Sequence, residues 1–185
     1  MNIEINNKSL SLELLRNILT EDIAISLSKG TKEKITHSSK YVINKSEGND
    51  SIYGINTGFG NLANVKIDKS DLNKLQRNLV SSHAVGVGEL LPNKIVKLII
   101  VLKIYALAQG YSGASLALVE RLCEFINLEL YPCIPSKGSV GASGDLAPLA
   151  HLSQALIGEG YVNYKGVKLS ASKALAKSNL KPIEL

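Results

Sequence analysis

The segment from Asn93 to Gln109 constrains the fold most tightly. Pro92 can open a long helix there, because a proline at a helix start has its φ already fixed and no N–H that the helix needs. Glycines at 110 and 113 end it. Within it, the run Leu98 to Leu102 is apolar all round, so the helix must be buried on most of its sides. Lys97 and Lys103 interrupt the apolar stretch, which is too short and too charged to cross a bilayer. With 185 residues, 45% of them hydrophobic, the chain is expected to form one domain around an ordinary core.

The remaining helical signals extend this reading. Thr20 followed by Glu21 and Asp22 reads as a cap with acids in the first turn, opening a helix that Gly30 closes. A second helix runs from about Thr31 to Lys45, and Ser46 to Asp50 is a turn cluster. Asp68 to Ser81 places Leu72, Leu75 and Leu79 on one face. Ser115 to Leu130 is amphipathic, with Leu116, Val119, Leu122 and Ile126 inward and Glu120, Arg121, Glu124 and Asn127 outward. A further helix aligns Leu146, Leu149, Ser153 and Leu156, and Pro148 requires it to begin close to Asp145. Tyr161 to Leu169 alternates and turns at Lys165-Gly166 as a short hairpin, and Ser170 to Ser178 is a last helix. The fold class is mainly α.

Glycine-rich loops punctuate these helices. YGINTGFG, Tyr53 to Gly60, has three glycines in eight residues and cannot be a regular element. SSHAVGVGELLP, Ser81 to Pro92, is a second such loop, and Tyr131 to Gly144 a third. All three carry candidate reactive side chains.

Composition removes several functions. The net charge of +5 comes from lysines spread along the chain, without the dense basic run and interleaved aromatics of a nucleic-acid binder. Cys123 and Cys133 form no CxxC pair and have no ligand spacing to His37, His83 or His151, so they read as two reduced thiols and no metal is expected. The N-terminus shows no basic-then-apolar signal pattern, which points to a cytoplasmic protein.

The segment with most chemical content is GSVGASGDLAPLAH, Gly138 to His151. One reading is a glycine-rich turn capping the next helix through Ser143 or Asp145. A Walker phosphate loop is excluded, because Gly144 is followed by Asp145 rather than Lys. A nucleophile elbow is excluded as well, since the residue two after Ser143 is Asp145 and not Gly. The other reading is that Ala142-Ser143-Gly144 closes on itself. The backbone nitrogen of Gly144 attacks the carbonyl carbon of Ala142, forming a five-membered ring through Ser143. Loss of one water from the ring, and of the Ser143 hydroxyl as a second, leaves an exocyclic methylidene on an imidazolone. Glycine at the attacking nitrogen, with glycines at 138 and 141 in the approach, permits the sharp fold this needs. The following helix N-terminus would stabilise negative charge accepted by the ring.

This string resembles the signature of the histidine and aromatic amino-acid ammonia-lyases, in which Ala-Ser-Gly becomes methylidene-imidazolone (MIO). The similarity runs over essentially the whole chain. It implies the N-terminal, MIO-bearing helical domain of the ammonia-lyase/fumarase-like superfamily, residues 1–185, truncated before a central helical bundle. YGINTGFG is similar to the family's tyrosine loop, so Tyr53 is implied to be the base that removes a substrate β-proton. A free phenol titrates near ~10 and must be shifted to work near neutrality. Without the resemblance, Tyr53 would be an ordinary half-buried aromatic, and Asn56 and Thr57 read as turn residues. LQRNLVSSHAVGVGE also aligns. Ser82-His83 resembles the histidine-specific branch, whereas tyrosine-specific relatives carry His-Leu and phenylalanine-specific ones Phe-Leu. Ser82 and His83 are therefore the implied substrate-binding residues, although a histidine here could also serve only the helix end. Arg77, Asn78, His37 and His151 are assigned no chemical role.

The resemblance implies elimination of ammonia from L-histidine to give urocanate, with no external cofactor, in a homotetramer whose sites combine several subunits. Two other readings stay open: a phenylalanine or tyrosine ammonia-lyase or aminomutase, and a non-catalytic remnant that associates with full-length subunits. Family members are more than twice this length, and the chain lacks their downstream pocket residues. It is expected to be inactive alone, as a fragment, a split-gene product or a degraded copy.

Overall fold

The computed structural model describes residues 1–6, 10–48, 50–58, 65–139 and 146–184. In chain order the elements are β1 (Asn2–Ile5), α1 (Leu12–Thr20), β2 (Ala24–Leu27), α2 (Lys29–Ser46), α3 (Lys69–His83), β3 (Val87–Leu90) and α4 (Asn93–Ala108). They continue with α5 (Leu116–Asn127), β4 (Leu130–Pro132), β5 (Pro135–Lys137), α6 (Leu146–Leu156), β6 (Tyr161–Tyr164), β7 (Val167–Ser170) and α7 (Ala171–Lys177). The fold is mainly α, with one short strand ahead of the first helix and the others in the joins between helices.

The core forms around α4, as its sequence requires. Val96, Ile100, Val101, Ile104, Leu107 and Ala108 are buried against α1, α2 and α5. The helix is not enclosed all round, however: Leu98 and Ile99 are partly buried and Leu102 is exposed. Lys97 is buried on the same helix and donates from Nζ to the Glu21 carbonyl at 2.8 Å. That bond also satisfies an orphan carbonyl at the end of α1. From α5, Val119, Leu122, Phe125 and Ile126 complete the core.

The N-terminal region departs from expectation. No helix starts at Thr20; that residue ends α1, and the segment expected to be helical contains strand β2 instead. The operating N-caps are Ser11, whose hydroxyl accepts from the Leu14 N–H, and Ser28, which accepts from the Thr31 N–H. Gly30 lies in the first turn of α2 rather than closing a helix. β1 and β2 pair in parallel, Ile3 opposite Ile25 and Ile5 opposite Leu27, and α1 is their crossover. The alternation of buried and exposed residues in NIEI and AISL is the strand signal. Asn127 closes the outer edge of β2, accepting from the Ile25 N–H at 2.7 Å and donating to the Ile25 carbonyl at 3.0 Å.

Two expected loops contain strands. β3 lies between Ser81 and Pro92 and pairs antiparallel with β5 from the 131–144 segment, Val87 opposite Lys137. β4 joins the C-terminal hairpin in the order β4-β6-β7. That hairpin turns at Lys165 and Gly166 with φ of 50° and 81°, the left-handed pair of a two-residue turn. On α6 the buried stripe is Ala147, Ala150, Leu152, Ala155 and Leu156, so the expected face is rotated and Leu146 is exposed. Among the described residues, no helix is long and apolar enough to cross a membrane.

Candidate functional site

Tyr53 is carried by a loop whose shape is set by Asn56. Asn56 is only 1% exposed, and its side chain closes the loop at both ends. Oδ1 accepts from the Ile52 N–H at 2.7 Å, and Nδ2 donates to the Asp50 carbonyl at 2.9 Å. Its backbone N–H donates to the Ile52 carbonyl, and its carbonyl accepts from Ile67. Gly54 sits at φ 76°, a region costly for any residue with a Cβ. Thr57 pairs with Lys66 in an isolated bridge, and its hydroxyl donates to the Gly58 carbonyl. Asn56 and Thr57 thus build the loop, while Tyr53 stands 63% exposed on it. Residues 59–64 of the same glycine-rich segment lie outside the described residues.

Ser82 and His83 lie in the last turn of α3, not in the loop beyond it. Both reach back to one carbonyl: the Ser82 hydroxyl donates to the Leu79 carbonyl at 3.0 Å, and His83 Nδ1 lies 2.8 Å from the same oxygen. A carbonyl only accepts, so Nδ1 carries a proton, and the tautomer this bond selects is the one whose lone pair lies on Nε2. His83 therefore does serve the helix end, and this leaves its second nitrogen uncommitted by that bond. After His83, Val85 N–H donates to the His83 carbonyl around Ala84 (φ −81°, ψ 59°), an inverse γ-turn.

The ring-forming candidates Ala142, Ser143 and Gly144 lie outside the described residues, with 140–145 as a whole. Their flanks are held together. Ser139 Oγ accepts from the Ala147 N–H at 2.8 Å, joining the two sides of the segment at the first turn of α6. The flank also touches the His83 turn. A Cβ on Gly138 would come within 2.7 Å of the Gly86 Cα, so only glycine allows the two backbones to approach this closely.

His151, on α6, completes this contact. Its Nε2 accepts from the Gly86 N–H at 3.0 Å, which requires the neutral ring. Burial holds its pKa below the usual 6.5. The unfolded chain therefore binds a proton that the folded chain resists. Stability is expected to be at its full value above pH 6.5, to decline as the pH falls through the interval below it, and to level off below the folded-state pKa. Urea midpoints of the whole protein against pH should show this slope, and His151→Gln should flatten it.

The seam between α3 and α6 gathers these loops. A cavity of about 320 Å³ is lined by Gly54 from the Tyr53 loop, Leu79 and Val80 from α3, and Ser153 and Leu156 from α6. At the far end of the seam, Arg77 donates from Nε to Glu159 at 2.8 Å and Ser81 Oγ donates to the other carboxylate oxygen at 3.0 Å. The Arg77 side chain is well exposed, so this clasp orients more than it stabilises. Sequence reasoning gave Arg77 no role, since its partner lies 82 residues away. Cys123 and Cys133 are both free; burial pushes the Cys123 thiol up to about 12 and raises Cys133 as well, so neither is an activated nucleophile. Among the described residues, no group of three or more His, Cys, Asp or Glu could hold a metal ion.

A sequence profile of the aromatic amino acid lyases matches residues 10–185. The histidine ammonia-lyase of Legionella pneumophila is 51% identical over 95% of this chain. The chain spans only 35% of the length of that relative. Among solved structures, ergothionase from Treponema denticola superimposes with a TM-score of 0.95 at 28% identity, covering all of this chain and 37% of that one. Tyrosine aminomutase from Streptomyces globisporus superimposes with a TM-score of 0.91 at 33% identity, covering all of this chain and 35% of that one.

Proposed function

We propose that this chain, which belongs to the aromatic amino acid lyase family, is the N-terminal, MIO-building domain (residues 1–185) of a histidine ammonia-lyase. The whole protein would eliminate ammonia from L-histidine to give urocanate. The observation that carries the reading is the 51% identity to a histidine ammonia-lyase across nearly the whole chain. The resting geometry of His83 agrees with it. With Nδ1 held by the Leu79 carbonyl, Nε2 is available as an acceptor for an N–H of the substrate's own imidazole.

In this reading each residue has one task. Ala142, Ser143 and Gly144 form the prosthetic group, which when present supplies an electrophile for the substrate's amino group. Tyr53 removes the β-proton. The first turn of α6 stabilises negative charge at its N-terminus. Ser82 and His83 select the substrate ring, His83 by a hydrogen bond and Ser82 by keeping the adjacent backbone fixed. The family resemblance supports a homotetramer, and Val85, Val87 and Leu146 are exposed apolar side chains available for subunit contact. The family resemblance supports a cytoplasmic enzyme without external cofactor.

Substrate choice is tested by the ratio of kcat/KM values for L-histidine, L-tyrosine and L-phenylalanine in the whole protein. L-histidine is expected to be preferred. A site built around a hydrogen bond to its ligand discriminates by about 10⁴-fold or more against a ring that cannot form it, because its own polar group is left unpaired. Ser82→His combined with His83→Leu should move the preference towards tyrosine and lower activity on histidine. The structural likeness to a tyrosine aminomutase at 33% identity supports the second reading, an enzyme acting on an aromatic amino acid. A parent protein that favours tyrosine or phenylalanine would establish that reading and reduce His83 to a helix-end residue.

A further inference from the structure

We propose that His151 is a positioning residue for the amino-acid pocket: it fixes the turn that follows His83 to the helix that follows Ala142-Ser143-Gly144. The inference rests on the histidine ammonia-lyase reading above and deepens it with a residue that the sequence left without a role. It follows from accounting for the backbone donors after α3. Ala84 N–H is taken by the Val80 carbonyl and Val85 N–H by the His83 carbonyl, both within α3 and its turn. From Val87 the chain belongs to the ladder with β5. Gly86 N–H lies between these two systems, and its acceptor is a side chain from a different helix, His151 Nε2 at 3.0 Å.

This bond is built rather than incidental. A Cβ on Gly86 would lie 2.9 Å from His151 Nε2 and 3.1 Å from the Pro135 Cβ, so a glycine is needed for the ring to approach. On the other side, Gly138 admits the Gly86 backbone by having no side chain of its own. The turn is held between His151 and Gly138, and burial keeps the imidazole in the neutral form that can accept. His83 is three residues before the anchored N–H, and segment 142–144 directly precedes the helix that supplies the anchor. His151 therefore ties the turn that follows the ring-selecting histidine to α6 without touching the substrate.

Removal of the acceptor should loosen His83 while leaving the tripeptide free to mature. A displacement of about 1 Å at a reacting geometry costs roughly 10²-fold in rate. In the whole protein, His151→Leu is expected to lower kcat/KM for L-histidine by roughly 10- to 10²-fold, mainly through KM, and to erode discrimination against L-tyrosine. The mass loss of two waters should persist. His151→Gln, whose amide oxygen can reach the same N–H, should recover most of both losses. Where His151→Leu fails to fold, His151→Asn replaces it, because its shorter side chain cannot reach Gly86. A folded Leu or Asn variant with parental kcat/KM and discrimination would overturn the proposal. So would a Gln variant as impaired as Leu, since ring volume rather than the acceptor would then be what matters. A parent that turns over a different amino acid refutes the substrate reading alone, and the same comparison on that amino acid then decides the role of His151.

Discussion

Ser143→Ala is expected to abolish both cofactor formation and turnover in the whole protein. The parent should weigh two waters less than its translated sequence, whereas the variant should lose at most the single ring-closure water from its own, because residue 143 then has no hydroxyl to eliminate. The reason is atomic. The alkene terminus is the β-carbon of residue 143, and it can form only if that carbon bears a leaving oxygen. Alanine has none, so the electrophile cannot form whatever the backbone does. Without it the amino group is a poor leaving group, and kcat should fall by about 10³-fold or more, ~4 kcal/mol of barrier. Intact-mass measurement and urocanate absorbance check both halves. An active parent of unmodified mass, or an active Ser143→Ala variant, would remove Ala142-Ser143-Gly144 from the mechanism.

Tyr53→Phe is expected to lower kcat on L-histidine by about 10²–10⁴-fold, the usual contribution of a positioned proton-transfer group. The fold should survive. Tyr53 is largely exposed, and the loop is closed by the two side-chain bonds of Asn56 and the bridge from Thr57 to Lys66. The hydroxyl is the group removed, with almost no change in volume. Unchanged circular dichroism and melting, together with the parental mass, would separate lost chemistry from lost structure. Near-normal turnover by the Phe variant would return Tyr53 to the status of a loop aromatic.

Local signals made the helices from α2 onward legible, whereas α1, capped by Ser11, went unread. Pro92 and Gly110 bracket α4, a serine precedes each of α5 and α7, and leucines at helical spacing mark α3. The Lys165-Gly166 turn marks the hairpin for the same reason: its demand for left-handed backbone is met within two residues. What failed to show was non-local. β1 and β2 meet across 22 residues and β3 and β5 across 50, and strands of three or four residues carry too little periodicity to announce themselves. Thr20 misled because an acid-rich stretch follows it, although the cap that acts is Ser28. At the site, the reactive residue types could be read from the loops, but their supports could not. Gly86 with His151, and Arg77 with Glu159, are pairs that only the folded arrangement brings together.

The crossing of Gly86 over Gly138 has a consequence for how such a site tolerates change. Where two segments are spaced by side chains, each substitution resets the gap by the size of an atom group. Here main chain rests on main chain, and there is no adjustable part in between. Drift at neighbouring positions can raise or lower the stability of the surrounding elements while the spacing itself stays put. The same rigidity removes intermediate options: any side chain at Gly138 would press directly on the Gly86 main chain, and one at Gly86 would press on the His151 ring and Pro135. Variation is thereby channelled away from the crossing and into the residues that look onto the pocket, where a change of substrate can occur on an undisturbed frame.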